Sequence, residues 1–354
     1  MSIYNPISSL FEGEDQFELV TKLGDPLLKI DSRIDFEQFR SSLEDVFPTT
    51  KTSKGGRPRM DPVLMFKVLL LQNLYALSDH AVEFQIADRM SFQRFLGIKS
   101  VKGIPDEKTI WLFREQAQSA GLIDRLFNEF VDVLRDTGLI ANKGKIIDAT
   151  IVEAPRQRNS REENKMIKSG AHIEEWDSQP NKKRQKDVDA SWTKKNGQTY
   201  FGYKDHIKVD SKSKLIEDYD VGTCSEHDSQ VIDKLTNEQT DGGQPCWADS
   251  DYSGEAIEMM LAEKNIHNRI HEKGTRNHPL NETQKKRNKQ KSKTRVRVEH
   301  IFGYMHQSMG GIFVRTIGIE RAATQIGLKN LFYNICRATY LLSHSRIGMS
   351  ISKI

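Results

Sequence analysis

Residues 143–154 read Lys-Gly-Lys-Ile-Ile-Asp-Ala-Thr-Ile-Val-Glu-Ala, a β-branched and mostly apolar run with the pattern of a buried central strand. The run predicts a sheet with this strand inside it. A carboxylate in such a place is costly unless something pairs with it, so Asp148 is the first candidate for a functional residue.

Two more acids stand in telling surroundings. Asp249 closes a second short run, Cys-Trp-Ala-Asp-Ser-Asp-Tyr, just before Ser253, which suits the cap of a helix over Gly254–Lys264. That puts Asp249 at a strand's C-terminal end, where open α/β sheets bind their ligands. Glu299 lies in Arg-Val-Arg-Val-Glu-His-Ile-Phe-Gly-Tyr-Met, where Val298, Phe302 and Met305 mark one helical face and Arg295 stands one turn before the acid. Two strand ends and one helix can aim three acids at one point.

Mg²⁺ takes hard oxygen ligands, and two ions about 3.5–4 Å apart clamp the attacking and leaving oxygens of an in-line displacement. Asp148, Asp249 and Glu299 are therefore the expected catalytic and metal-holding residues. Singly, each has a plainer reading as a cap, a turn former or, for Glu299 with Arg295, an i,i+4 ion pair. Strand alternation puts Asp251 on the same face as Asp249 and leaves the choice between them open, with Asp249 ranked first. Glu153, five residues after Asp148, points to the opposite face.

Around these acids the chain falls into parts. Its 354 residues allow two domains. Residues 1–140 read as a helical DNA-binding or dimerisation domain, with Pro62, Ser78 and Pro105-Asp106 as helix starts and a basic Gly/Pro loop at 51–61. The Gly56-Arg57-Pro58-Arg59 stretch of that loop is of the kind that inserts Arg into a narrow minor groove, or is a linker with solvated charges. Residues 141–354 read as the catalytic domain, with a polar, mobile insertion at 155–198. Strands at Thr199–Asp210 and Lys214–Cys224 should form a hairpin, followed by alternating helices and strands and a last helix from about Ile319 to His344.

The net charge of +4 names no partner by itself, but residues 273–298 carry ten Lys or Arg against the single acid Glu282. This segment leads into the Glu299 helix and brings positive potential to where phosphates must come. Arg57, Arg59, Lys291, Lys293, Arg295 and Arg297 are the candidate DNA contacts, Arg295 for its bidentate grip. His206 and His227 read first as hydrogen-bonded structural residues. Cys224, Cys246 and Cys336 show no metal spacing and suit a reducing compartment. The N-terminus carries no signal peptide, and Lys67, Gln72 and Asn73 interrupt the most apolar stretch, so a cytoplasmic, nucleoid-associated protein without membrane contact is expected.

Ile-Ile-Asp-Ala-Thr, Ala-Asp-Ser-Asp-Tyr-Ser-Gly and Arg-Val-Arg-Val-Glu-His-Ile-Phe-Gly resemble the three acid blocks of bacterial insertion-sequence transposases, nearest the insertion-sequence-five group of DDE transposases. The resemblance covers most of the chain. It implies a ribonuclease-H-like mixed sheet flanked by helices, two Mg²⁺ ions with Mn²⁺ able to substitute, and double-stranded DNA as partner, both terminal inverted repeats and target. It also implies a homodimer in the active complex and a cut-and-join reaction carried by Asp148, Asp249 and Glu299. The third block of the family usually has Tyr three residues before its Arg and Lys seven after its Glu; here Ser292 and His306 stand there, with His306 the matching candidate for DNA contact. Tyr252 fits the second block. A DNA-binding regulator that has lost the chemistry, or a nuclease that cuts without joining, would share these residues.

Overall fold

The computed structural model describes residues 12–48, 59–157, 159–170, 173–195 and 197–344. The chain divides into two compact units, one of residues Met1–Leu122 with Ala338–Ile354 and one of Ile123–Arg337.

The first unit contains helices α1 (Glu12–Lys22), α2 (Pro26–Asp31), α3 (Arg40–Val46), α4 (Pro62–Tyr75), α5 (Asp79–Asp88), α6 (Met90–Leu96) and α7 (Glu107–Ser119). Their starts follow from local chemistry. Asp61 accepts hydrogen bonds from the amides of Val63 and Leu64 ahead of Pro62, Ser78 caps α5 through Ala81, and Asp106 caps α7 through Thr109. Phe36, Phe39, Phe66 and Phe95 form the aromatic centre of the core, with Phe39 and Phe66 centroids 5.0 Å apart. Arg114 grips Asp79 with two bonds of 2.9 and 2.6 Å and ties α7 to α5.

In the second unit a sheet comprises β1 (Lys145–Glu153), β2 (Ser191–Lys195), β3 (Gln198–Asp210), β4 (Ile216–Thr223), β5 (Pro245–Trp247) and β6 (His267–Asn268). β3 runs antiparallel to β1, with Asp148 opposite Ile207, and its other edge takes β2 along its first part and β4 along its second. β5 lies parallel to β1 and β6 parallel to β5. Three antiparallel strands, with a later strand added in parallel beside the first, form the mixed sheet expected of a ribonuclease-H-like fold. The β3–β4 hairpin closes where Asp210 accepts from the amides of Lys212 and Ser213.

Around the sheet run α8 (Leu122–Asp136), α9 (Arg161–Ser169), α10 (Glu174–Asp177), α11 (Pro180–Arg184), α12 (Ile232–Leu235), α13 (Glu238–Asp241), α14 (Glu255–Glu263), α15 (Glu282–Arg295), α16 (Glu299–Ser308) and α17 (Ile319–His344). Ile147 packs into a cluster with Val231, Ile232, Leu235, Ala248 and Leu261, which closes one face of the sheet. On the face that carries Asp148, Asn330 donates to the buried Asp205 at 3.1 Å, and Asn334 both accepts from the Ile216 amide and donates to its carbonyl. These bonds to Asp205 and to both backbone groups of Ile216 fix α17 against the sheet.

The polar stretch 155–198 has structure of its own. Ser160 and Glu163 form a capping box at the start of α9, and Glu163 also accepts from the indole N–H of the buried Trp176 at 2.9 Å. Asp187 accepts the Tyr203 hydroxyl with both oxygens, and the segment ends in β2, antiparallel to β3. A few widely spaced anchors, Ile173, Trp176 and Ala190, hold the segment where no periodic pattern announces them.

Candidate active site

The pairing of β1 with β5 has two rungs, Lys145 with Cys246 and Ile146 with Trp247, and stops two residues before Asp148. β1 continues to Glu153 alongside β3 while β5 has ended, which opens a crevice at the parallel strand ends. Asp148 stands at its edge, 9% exposed. One of its oxygens accepts from the Ala149 amide at 2.9 Å, and the other from Arg295 Nη1 at 2.7 Å. Burial pushes the carboxyl up to about 6; Arg295 and the Ala149 amide oppose that rise, while the like charge of Asp249 adds to it.

Asp249 lies two residues past β5, half-buried, and caps a single turn at Ser250–Tyr252 by accepting from the Asp251 amide at 2.8 Å. The chain has thus left the strand before Asp251, and the alternation that put the two acids on one face does not extend to it. Asp251 is exposed and pairs with Lys273 at 3.0 Å. Tyr252 swings inward instead and is fully buried, its hydroxyl 3.4 Å from His206 Nδ1. Burial holds the His206 imidazole down at about 4, so it is neutral at physiological pH, and its Nε2 finds no hydrogen-bond partner among the described residues. His227 caps the turn at Asp228–Gln230 through the Ser229 amide.

Glu299 opens α16. The helix expected to carry both Arg295 and Glu299 is interrupted: α15 ends at Arg295, a turn covers 296–298, and α16 begins at Glu299. Val298, fully buried, pins that turn. Arg295 still spans the break, reaching Glu299 at 3.4 Å with one nitrogen while holding Asp148 with the other. Glu299 itself is 57% exposed. The guanidinium therefore bridges the first and third of the predicted acids.

α15 is polar all round, yet its inner side is specific. Asn288 accepts from the Glu272 amide and donates to its carbonyl, Lys291 donates to the Ile270 carbonyl at 2.7 Å, and Ser292 lies 3.3 Å from His271 Nε2. Lys291 and Arg295 are thus turned inward. Lys286, Lys289 and Lys293 occupy the opposite, exposed side at helical spacing, and the exposed Arg297, which donates to the Ser211 carbonyl, continues the line beyond the turn. His306 is exposed near the end of α16, Arg59 is exposed in the first unit, and Arg57 lies outside the described residues. Glu153 is exposed at the end of β1.

Among the described residues, no group of three or more His, Cys, Asp or Glu is gathered closely enough to hold a metal ion. The donor chemistry nonetheless fits a divalent cation: Asp148 and Asp249 offer hard oxygens and repel each other, and burial penalises the negative charge on Asp148. Arg295, foreseen as a phosphate grip, is the cation in contact with Asp148 here. Two residues that the sequence did not single out also bear on the site: Lys195, whose charge acts on Asp148, and Lys204, which is fixed to Asp228 at 2.6 Å near His206. Alternation along β3 marks Lys204 and His206 as one face, but nothing local marks Lys195.

Two family models match the chain. Residues 142–335 match one described as transposase DDE domain, and residues 14–116 match one described as transposase domain DUF772. Among solved structures, a cryo-EM structure of the piggyBac transposase synaptic complex with hairpin DNA is similar over 95% of this chain and 78% of that one, at 11% identity and a TM-score of 0.46. No helix among the described residues is long and apolar enough to cross a membrane.

Proposed function

The chain belongs to the transposase DDE domain family, and on that premise we propose that it is the transposase of an insertion sequence of the insertion-sequence-five group, binding the element's terminal inverted repeats and cutting and joining DNA there. The observation that carries this reading is the juxtaposition of Asp148 and Asp249 where β1 and β5 part, with Arg295 and Glu299 brought to the same place by the α15–α16 turn.

Asp148, Asp249 and Glu299 are the residues that would hold two Mg²⁺ ions, or Mn²⁺, which supply a more acidic nucleophile and a stabilised leaving oxygen in an in-line displacement. Gathering three carboxylates requires Glu299 to turn inward from its exposed position and Arg295 to release Asp148. The released guanidinium has the planar fork to take two phosphate oxygens beside the scissile bond. Desolvation at Asp148 strengthens every charge interaction made there. Water attacks first and frees a 3′-hydroxyl, and that hydroxyl then attacks target DNA, with no covalent enzyme intermediate. Outside the crevice, Lys286, Lys289, Lys293 and Arg297 form a line of positive charge suited to a phosphate backbone. Two ends must be held together for joining, which favours a dimer in the active complex. The helical first unit, matched by the second transposase model, is the proposed end-binding or dimerisation part.

A cleavage assay on DNA carrying the inverted repeats that flank the gene tests this. Wild type with Mg²⁺ should nick at the element's ends, and Asp148→Asn and Glu299→Gln should bind the same DNA with cleavage reduced at least a thousandfold. Binding without cleavage in the wild type would make the chain a DNA-binding regulator, and cleavage surviving in Asp148→Asn would sink the assignment of the acids.

A further inference from the structure

We propose that a basic cleft beyond the end of β1 is a second contact for the DNA sugar-phosphate backbone, an inference that rests on the transposase reading. Three stretches of chain meet there: the exit from β1, the end of the 155–198 segment and the strand-like stretch before α17. Arg156 comes from the first, Lys182 and Lys186 from the second, and Arg315 and Thr316 from the third. The meeting is fixed by backbone bonds, because Phe313 bridges Glu153 in parallel and the Val314 amide donates to the Glu153 carbonyl at 2.9 Å. On the other side, Gln157 donates to the Gln185 carbonyl and accepts from the Asp187 amide.

Charge in this cleft is unbalanced in favour of an anion. Lys182 and Lys186 share Glu163, at 2.9 and 4.0 Å, and Asp187 is taken up by Tyr203 and by the amides of Asp189, Ala190 and Gly318. Among the described residues Arg156 makes one bond, to the Thr199 carbonyl, and Arg315 lies over the Phe313 ring; both are exposed with donors to spare. Four cations therefore face two carboxylates that are already engaged. A phosphate supplies acceptors for both guanidinium groups, whereas an apolar ligand would leave both unmet.

Placement agrees with a duplex that also occupies the crevice. Pro155 follows Asp148 by seven residues, so at most about 25 Å of chain separates the cleft's first residue from Asp148, beside which the scissile phosphate would lie. At about 3.4 Å per base-pair step that reach equals roughly seven base pairs. The cleft would meet the backbone less than one helical turn from the cut.

The test is fluorescence anisotropy with duplex DNA carrying the element's end, in rising NaCl, on the full chain. Removing two phosphate contacts in Arg156→Gln/Arg315→Gln should flatten the slope of log affinity against log salt by about 1.8, at about 0.9 per contact. The charge-matched control Lys165→Gln/Lys168→Gln, at two exposed positions of α9, should leave it unchanged, and Arg156→Lys/Arg315→Lys should restore most of it. A slope unchanged in the folded double variant, with wild type binding normally, overturns the cleft and leaves the transposase reading standing. A wild type that binds no duplex overturns both. Displacement of duplex by inorganic phosphate at matched ionic strength, in wild type and not in the double variant, would assign the cleft to a free phosphate.

Discussion

Asp148→Asn should make this protein more stable while disabling it, and the size of the gain can be worked out from the site. Burial moves the carboxyl from its ordinary 3.8 to about 6 even with Arg295 beside it. At about 1.4 kcal/mol per pH unit, the ionised group costs the folded state about 3 kcal/mol at pH 8. The sign follows from proton binding. Between pH 4 and 6 the native protein holds this proton more tightly than the unfolded chain, so wild-type stability falls as pH rises through that window and stays reduced above it. Asparagine has nearly the shape of the neutral acid and still accepts from Arg295, but never ionises. The variant should therefore exceed wild type by about 3 kcal/mol at pH 8 and by roughly half that at pH 5. Urea denaturation in EDTA at the two pH values measures the gap. Tryptophan fluorescence is a suitable signal, because Trp176, Trp192 and Trp247 all lie in the catalytic unit and only Trp111 lies outside it. A variant no more stable than wild type at pH 8, or a gap that does not widen with pH, would refute desolvation as the burden on Asp148.

Two further outcomes are expected. Lys145 is 1% exposed and bonds Glu217 at 2.6 Å, with Asp241 at 3.9 Å, so Lys145→Met strands buried carboxylates and should cost about 3–5 kcal/mol; a loss below about 1 kcal/mol in urea denaturation would mean that this network is not held by charge. Lys286→Gln/Lys289→Gln/Lys293→Gln should flatten the salt dependence of duplex binding by about 2–3, while the same triple change should leave the folding transition within about 0.5 kcal/mol of wild type, since these side chains are exposed; an unchanged salt slope removes α15 from the DNA path.

The sheet was readable because its signals are local. β-branched runs name β1 and β3, a short polar turn names the β3–β4 hairpin, and α17 spans the residues its periodicity announces. The parallel neighbour of β1 came only with the ribonuclease-H-like sheet that the resemblance implies. What escaped was structure held by single anchors or by polar contacts. β2 and α9–α11 depend on Trp176 meeting Glu163 and on Asp187 meeting Tyr203, partners that no spacing rule connects. α15 has no apolar face, and its docking through Asn288 and Lys291 to backbone groups leaves no hydrophobic trace in the sequence. The acids themselves were legible as residues, but their geometry was not. Strand alternation could not foresee that β5 ends at Trp247 and turns Asp251 out to Lys273, nor that a turn at 296–298 separates Arg295 from Glu299.

The seam of two rungs between β1 and β5 also sets a time order. β3 and β4 are joined by a short turn and can pair as soon as both are made, and β1 has only the 155–198 segment to close before joining them. The rungs that bring Asp249 beside Asp148 must close a loop of about a hundred residues and must wait for everything between. Glu299 arrives later still. A ribosome that has reached Thr223 has made the antiparallel half of the sheet with one acid in it, and a chain released anywhere before residue 299 carries an incomplete set. Fragments that stop short of Glu299 would therefore lack one of the three acids on which the proposed cutting depends.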